Sequence, residues 1–166
     1  LNALITDKKS DEVPIHLGLR AVLNSRTFHE AISKVKDGQM ASAANFLIAV
    51  DHGDGKSMAA NIEVSPFGID IMTDPDGKVV HTNHICSPLL LNRLTDLNEF
   101  KYEDSTIRKN RAEQLINISL KRGQTIDEES FKTWFCDTFN YPNSINHFAN
   151  ERAPEHRRSE TVFSII

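Results

Sequence analysis

Hydrophobic residues in the first forty positions recur at the spacing of two short helices. The first segment, "IHLGLRAVLN", follows Pro14, which suits the first turn of a helix because its ring fixes φ and its missing N–H is not needed there. The second, "SRTFHEAISKVKDG", has Thr27 followed three residues later by Glu30, a capping-box pattern, and Gly38 as a stop signal. The pattern predicts two successive helices after a polar, loop-like segment over residues 1–12.

The next forty residues change to short apolar runs separated by turn sequences. The turns "DHGDG" and "DPDG" supply the Gly, Asp and Pro residues that tight connections need. Four strands are predicted, at 44–51, 58–65, 68–73 and 78–81. The first contains "NFLIAV", which is apolar on both faces, so we expect it to lie between two layers.

The second half of the chain returns to helical spacing. "EDSTIRKNRAEQLINISLKRG" carries an apolar stripe with Gly123 just past its end, and "DEESFKTWFCDTFN" is a shorter helix with acidic residues in its first turn. Three aromatic residues of the shorter helix are expected to pack inward: Phe131, Trp134 and Phe135. "TVFSII" is predicted to close the chain as a strand. Helices, a strand meander, helices and a strand indicate an α+β fold with helices stacked on an antiparallel sheet.

Length, composition and charge restrict the class of protein. The 166 residues are 39% hydrophobic and 25% charged, which is typical of a single globular domain, here 1–166. A net charge of −4 gives no basic surface for nucleic acid, and no apolar run approaches the ~18 residues of a membrane span. The two cysteines, Cys86 and Cys136, form no disulfide-dense pattern and predict free thiols in an intracellular, reducing compartment.

The segment "GKVVHTNHICSP" concentrates the residues that carry chemistry. His81, His84 and Cys86 could supply three ligands to zinc, but their spacing fits no common zinc pattern. In an extended backbone the two histidines point to opposite faces, so we predict no metal site. A Cys/His nucleophilic pair needs a histidine beside Cys86 in space, and an inert buried thiol is the alternative.

Three further residues are candidates for a site. Asn83 offers uncharged N–H donors that could stabilise an oxyanion, although asparagine at a strand end is also a common turn residue. Ser65, directly before Pro66, is a turn candidate. Arg158 in "HRR" could bind a carboxylate or belong to a solvated charge cluster.

A resemblance bears on these alternatives. The chain resembles the acyl-coenzyme A:6-aminopenicillanic acid acyltransferase (isopenicillin N acyltransferase) family, which includes β-alanyl-dopamine hydrolases. The matching pieces run in the family's order, from "NAL" and "VPIHLGLRAVL" through "QMASAANFLIAV", "IEVSP", "GKVVHTNH" and "STIRKNRAEQL" to "NYPNSI" and "RRSETVFSII". "VHTNH" and "NYPxSI" are the specific motifs.

The resemblance implies a four-layer αββα N-terminal-nucleophile (Ntn) hydrolase fold with antiparallel sheets. Such precursors cut themselves before a cysteine, which then attacks a small amide or an acyl-CoA thioester and forms an acyl-enzyme; acyl-CoA enters as a substrate, and no cofactor is implied. By this resemblance Asn83 is the oxyanion donor and Arg158 lines the substrate pocket. Ser65, with His81 and His84, belongs to site architecture or maturation. Arg157 stands where some relatives have serine, which argues against a penicillin-type substrate.

The resemblance also implies partners for this chain. The nucleophilic cysteine is expected upstream of Leu1 and a further strand or two beyond Ile166, so 1–166 is expected to be part of the large subunit, truncated at both ends and inactive alone. The expected partners are the missing nucleophile segment, the small subunit of the same precursor and a small-molecule amide or acyl-CoA, in the cytoplasm or peroxisome. The alternative function is a non-catalytic binding module or an inactive relative.

Overall fold

The structure, a computed structural model, describes residues 1–9, 11–37 and 40–162. The chain separates into two compact units, the first over Leu1–Glu99 and the second beginning at Phe100. Among the described residues, none of the helices has both the length and the apolar composition that a bilayer crossing requires.

A four-stranded antiparallel sheet organises the first unit. Its strands, in spatial order, are β1 (Asn2–Ala3), β2 (Ala44–Asp51), β3 (Ser57–Ser65) and β4 (Gly68–Met72). The turn sequences predicted β2 to β4 correctly to within a residue at each end. Strand β1 was not predicted, since its two residues lie in a segment expected to be a loop.

Two helices cover one face of this sheet, as predicted. They are α1 (Ile15–Leu23), which directly follows Pro14, and α2 (Phe28–Asp37). Thr27 Oγ1 accepts the N–H of Glu30 at 3.1 Å, while the Glu30 carboxylate accepts from the N–H of Arg26 instead of Thr27. Only half of the capping box therefore forms, and the predicted stop at Gly38 lies outside the described residues.

Apolar side chains fill the space between the helices and the sheet. The buried members of this core come from α2, the segment after it, β2 and β3: Val35, Met40, Ala44, Phe46, Ile62 and Val64. The opposite face of the sheet is different in character. Asn45 is buried there, but Leu47 keeps 49% of its surface exposed. The prediction that the first long strand is covered on both faces is therefore wrong from Leu47 onward, because no second layer covers that position among the described residues.

The predicted fourth strand of the meander, over 78–81, is also wrong. The carbonyl oxygen of Val80 accepts from Asn61 Nδ2 at 3.3 Å, and that of His81 accepts from Asn2 Nδ2 at 2.9 Å. Polar side chains of the sheet thus take the carbonyl groups that a strand would use for pairing. The segment therefore meets side chains of β1 and β3 instead of joining the sheet as a strand, and a short helix α3 (Pro88–Leu91) follows it.

The second unit is helical. A single π-helical turn (Lys101–Ser105) leads into α4 (Thr106–Lys121), and α5 (Glu128–Phe135) follows, with a short 3-10 turn later at Glu155–Arg157. Gly123, at φ 65°, ends α4 as predicted. Trp134 is buried as predicted, whereas Phe131 is 39% exposed, so the inward prediction is wrong for that ring. Most of the predicted closing strand, residues 163–166, lies outside the described residues.

The fold class is α+β, as the order of elements predicted. Mixed helices and one antiparallel sheet of four strands make up the described chain.

Candidate functional site

The segment from His81 to Ser87, here called the site loop, carries most of the predicted site residues. Asn83 lies near its middle and is half-buried. Its side-chain Nδ2 donates to the carbonyl oxygen of Ala3 at 3.3 Å, and its own carbonyl accepts from Asn98 Nδ2 at 2.7 Å. Ile85 N–H donates to the Asp96 carboxylate at 2.9 Å. The backbone on both sides of the Asn83 side chain is therefore held by groups from other parts of the first unit.

Glu63, two residues before the end of β3, binds both ends of the site loop. Its side chain is 0% exposed. One carboxylate oxygen lies 2.6 Å from His81 Nε2 and accepts the N–H of Cys86 at 2.6 Å, and the other accepts the N–H of Ser87 at 3.0 Å. A buried carboxylate is tolerated only when donors of this kind compensate its charge. Sequence reasoning missed Glu63; the available signal was a charged residue inside the apolar strand "IEVSP".

Ser87 connects a second acidic residue to the loop. Its Oγ donates to Asp70 Oδ2 at 2.5 Å and accepts the N–H of Leu90 at 3.0 Å as the N-cap of α3. Asp70 on β4 is the cross-strand partner of Glu63 on β3. Two neighbouring carboxylates on one face of the sheet are thus both bonded by the C-terminal end of the site loop.

His81 is the charged partner in this arrangement. Its ring nitrogens face two oxygen atoms, with Nε2 toward Glu63 and Nδ1 2.7 Å from the carbonyl oxygen of Thr82. An imidazolium can donate to both at once. Burial lowers the pKa of His81, but its hydrogen bonds and charge interactions with Cys86 and Glu63 outweigh that effect and raise the pKa from 6.5 to about 9.

Cys86 lies beside both histidines of the loop. It is a free thiol, half-buried, with Sγ 3.5 Å from His84 Nε2. Burial raises the pKa of the Cys86 thiol, but its hydrogen bonds with His81 and His84 outweigh burial and lower the pKa from 9.0 to about 7. The prediction that the two histidines diverge is therefore wrong, because the loop is not extended and both rings interact with the same sulfur.

Three of these side chains have the chemistry of metal ligands. The ligand atoms of Glu63, His81 and Cys86 all lie within 4.8 Å of one another. The prediction of no metal site rested on spacing within the loop and left Glu63 out. A metal ion at this place would replace the His81–Glu63 contact and compete with the backbone N–H donors of Cys86 and Ser87 for the carboxylate.

Ser65 has the turn role that the sequence allowed. It is buried, and its hydroxyl donates to the carbonyl oxygen of Gly68 at 2.9 Å and accepts the N–H of Phe67 at 3.1 Å. These bonds close the β3–β4 hairpin. Ser65 lies two residues after Glu63 on the same face of β3, since side chains alternate along a strand.

Arg158 belongs to the second unit and makes local contacts. Its guanidinium donates from Nε to the carbonyl oxygen of Ala153 and from Nη2 to that of Glu151, both at 3.0 Å. The side chain is exposed and holds its own loop together in this structure.

Helices on one face of an antiparallel sheet, with a polar loop bonded to side chains of β1 and β3, are consistent with an α+β fold of the Ntn-hydrolase type. The family model for acyl-coenzyme A:6-aminopenicillanic acid acyl-transferase matches residues 1–153, and the chain belongs to that family. The family is one of acyl-coenzyme A acyltransferases. A search among curated proteins found no match.

Proposed function

We propose that the intact protein is a self-processing cysteine Ntn enzyme that forms an acyl-enzyme from a small amide or an acyl-CoA thioester. Asn83 is the oxyanion donor in this proposal. The observation that carries it is the position of Asn83, half-buried in the middle of a loop whose two ends are bonded to Glu63. A preorganised amide donor needs such fixed surroundings, because its value lies in not having to reorient as charge develops.

The chemistry begins with a cysteine thiolate that attacks the carbonyl carbon of the substrate. The carbonyl oxygen takes up negative charge, which the Asn83 N–H stabilises, and the tetrahedral intermediate collapses with loss of an amine or of coenzyme A thiol. Water or an acceptor amine then attacks the acyl-enzyme and releases the acyl group. In this proposal the attacking cysteine lies outside residues 1–166 and its own α-amino group is the base.

Two further assignments belong to this proposal, and of the two residues only Ser65 lies within the part of the chain that the family model matches. Arg158 would bind a negatively charged group of the substrate once its guanidinium is drawn from its present carbonyl partners. Ser65 would act in maturation by shaping the hairpin that carries Glu63.

Cys86 is the second candidate for the nucleophile of the same acyl chemistry. Its Sγ lies 3.5 Å from His84 Nε2, and its pKa of about 7 makes much of it thiolate at neutral pH. A Cys86→Ser substitution separates the two candidates. The leading proposal expects Cys86→Ser to retain acyl transfer within a few-fold of wild type, whereas a nucleophilic Cys86 requires its loss.

The experiment for Asn83 uses the full-length precursor. Asn83→Ala should lower kcat by ~100- to 1000-fold for transfer from a short-chain acyl-CoA to hydroxylamine, a general acyl acceptor, or for hydrolysis of acyl p-nitroanilides. Gel analysis of self-cleavage shows whether each preparation has matured, so that kcat refers to processed enzyme only.

Asn110→Ala is the matched control, because Asn110 is an exposed asparagine on α4. It should leave kcat within a few-fold of wild type. Undiminished turnover by matured Asn83→Ala would remove the oxyanion assignment.

A further inference from the structure

The buried position of Glu63 is unfavourable for a charged side chain unless other groups compensate its charge. The last six residues of β3 are buried, and the Glu63 carboxylate among them loses its hydration entirely. Its cross-strand neighbour is Asp70, a second carboxylate. Such a residue is stabilised only if opposite charge and N–H donors reach it.

Among the described residues, the hydrogen bonds to the Glu63 carboxylate come from the site loop. His81 is the loop's first residue, and Cys86 and Ser87 are its last two. Asn83 lies between these attachment points. The carboxylate therefore acts as a single anchor for both ends of a short loop, and the position of Asn83 depends on that anchor.

His81 completes the anchor. Its Nε2 contacts Glu63 and its Nδ1 contacts the carbonyl oxygen of Thr82, the residue directly before Asn83. A ring held at both nitrogens cannot rotate without breaking a charge-assisted hydrogen bond. The peptide between Thr82 and Asn83 is thus tied to Glu63 through one side chain.

We infer that Glu63 and His81 are positioning residues, which fix the carboxamide of Asn83 where the oxyanion forms. The inference rests on the proposed oxyanion function of Asn83. Neither side chain contacts the reacting atoms in this account, and both act through the loop. Small displacements of a catalytic group lower kcat steeply while substrate binding is little affected.

A double-mutant cycle in the matured, full-length enzyme tests the inference. Glu63→Gln replaces one acceptor oxygen by an NH₂ group that faces N–H donors, and His81→Gln removes the ring that bridges Glu63 and Thr82. With a short-chain acyl-CoA and hydroxylamine as substrates, each should lower kcat by ~10- to 100-fold, with KM changed by less than ~3-fold.

The decisive measurement is the same pair of substitutions in an Asn83→Ala background. If both residues act through Asn83, either one should lower kcat there by less than ~3-fold further, because the group that they position is gone. A structural role would lower kcat by similar factors in both backgrounds, and that result would overturn the inference. Unchanged kcat in the single variants would also overturn it.

The variants distinguish this inference from the function on which it rests. If Asn83→Ala alone leaves kcat unchanged, the oxyanion assignment fails and the inference fails with it. If Asn83→Ala has its full effect but the Glu63 and His81 effects are additive to it, only the inference fails. If Glu63→Gln does not fold, His81→Gln still tests the inference. The His81→Gln variant keeps the Glu63 carboxylate and its hydrogen bonds from the backbone N–H groups of Cys86 and Ser87.

Asp137→Asn is the matched control for carboxylate-to-amide replacement. Asp137 is a largely buried carboxylate bound by Arg111 in the second unit. Its substitution should lower the unfolding midpoint but leave kcat within ~3-fold of wild type, since Asp137 bonds no part of the site loop in the described contacts.

Discussion

The Nε2 atom of His81 lies 2.6 Å from Oε1 of Glu63, and neither side chain exposes more than 1% of its surface. Water does not screen this pair, so the protonation of His81 is tied to folding. The thiol of Cys86 is coupled to the same ring, and its pKa moves in the opposite direction.

The first prediction concerns stability against pH. Folding raises the pKa of His81 from 6.5 to about 9. Its contribution to the free energy of unfolding is therefore fully present below pH 6.5 and is lost as the pH rises through 9. The pKa of Cys86 falls from 9.0 to about 7, so its contribution is present above pH 9 and is lost as the pH falls through 7. Between pH 7 and 9 the stabilisation by His81 falls with rising pH while the stabilisation by Cys86 increases. The free energy of unfolding of the wild type should therefore be nearly independent of pH in this range.

The substitution Cys86→Ser should reveal how the contribution of His81 to the free energy of unfolding changes with pH. Cys86 raises the pKa of His81 more strongly than Glu63 does, and only the 2.6 Å contact with Glu63 remains in this variant, so the free energy of unfolding should fall as the pH rises above 6.5, over a narrower range that ends below pH 9. Urea denaturation at several pH values measures it, and Cys86→Ser combined with His81→Gln should be flat again. A Cys86→Ser protein as flat as the wild type would contradict the opposed slopes.

The second prediction concerns the reactivity of Cys86. Its pKa of about 7 should appear as the midpoint in the pH dependence of its alkylation by iodoacetamide, because the thiolate is the reacting form. His81→Gln should move the midpoint upward, since the imidazolium is one cause of the lowered pKa. Mass spectrometry of the peptides follows both cysteines, with exposed Cys136 as the internal reference for the reagent. A midpoint that His81→Gln leaves in place would count against the coupling.

The third prediction concerns Gly18 in α1. Alanine in a helix is ordinarily more stable than glycine by ~0.5–1 kcal/mol. At Gly18 an added Cβ would overlap Met40 Sδ and lie 3.0 Å from its Cε, and Met40 is fully buried. Gly18→Ala should therefore lower the free energy of unfolding by ~1–3 kcal/mol.

A Met40→Ala background provides the comparison for Gly18→Ala. The end of the Met40 side chain is absent in this background, so Gly18→Ala should leave the free energy of unfolding unchanged or raise it. Urea denaturation measures the difference. A loss of equal size in both backgrounds would show that helix α1 needs glycine for another reason.

The fourth prediction concerns Arg111 in α4. Its Nε lies 3.1 Å from both carboxylate oxygens of Asp137, its Nη2 lies 2.6 Å from one of them, and its guanidinium lies 5.1 Å from the centre of the Phe139 ring. Lysine cannot reproduce a forked bond and ring stacking together, so Arg111→Lys should cost about 1 kcal/mol. Arg122→Lys, at the exposed end of α4, should cost nothing measurable by the same denaturation experiment.

The sequence predicted those parts of the fold that depend on local signals. Gly, Asp and Pro residues located the hairpins of β2 to β4, and Thr27 located the start of α2. The segment over 78–81 has an apolar character that fits a strand, yet its carbonyl groups bind Asn61 and Asn2, which are distant in the sequence. No local pattern contains those partners.

The candidate site was likewise predicted only where its residues lie close together in the sequence. The cluster from His81 to Cys86 was visible because its members are close in sequence, and the family assignment is confirmed. Glu63 was not recognised because its contacts span 18 to 24 residues and because a glutamate inside a strand has no motif of its own. The oxyanion role of Asn83 and the roles of Arg158 and Ser65 stay predictions.

The bond between Ser87 and Asp70 has a consequence for folding. Glu63 and Asp70 are like charges on adjacent strands, and the loop residue that bonds both is only 24 and 17 residues away from them. Contacts over such short separations close with little loss of chain entropy. The β3–β4 hairpin and the site loop should therefore form in one step, each unfavourable without the other. Heat or denaturant should then reduce the number of working molecules, while each molecule that is still folded keeps a fully assembled loop.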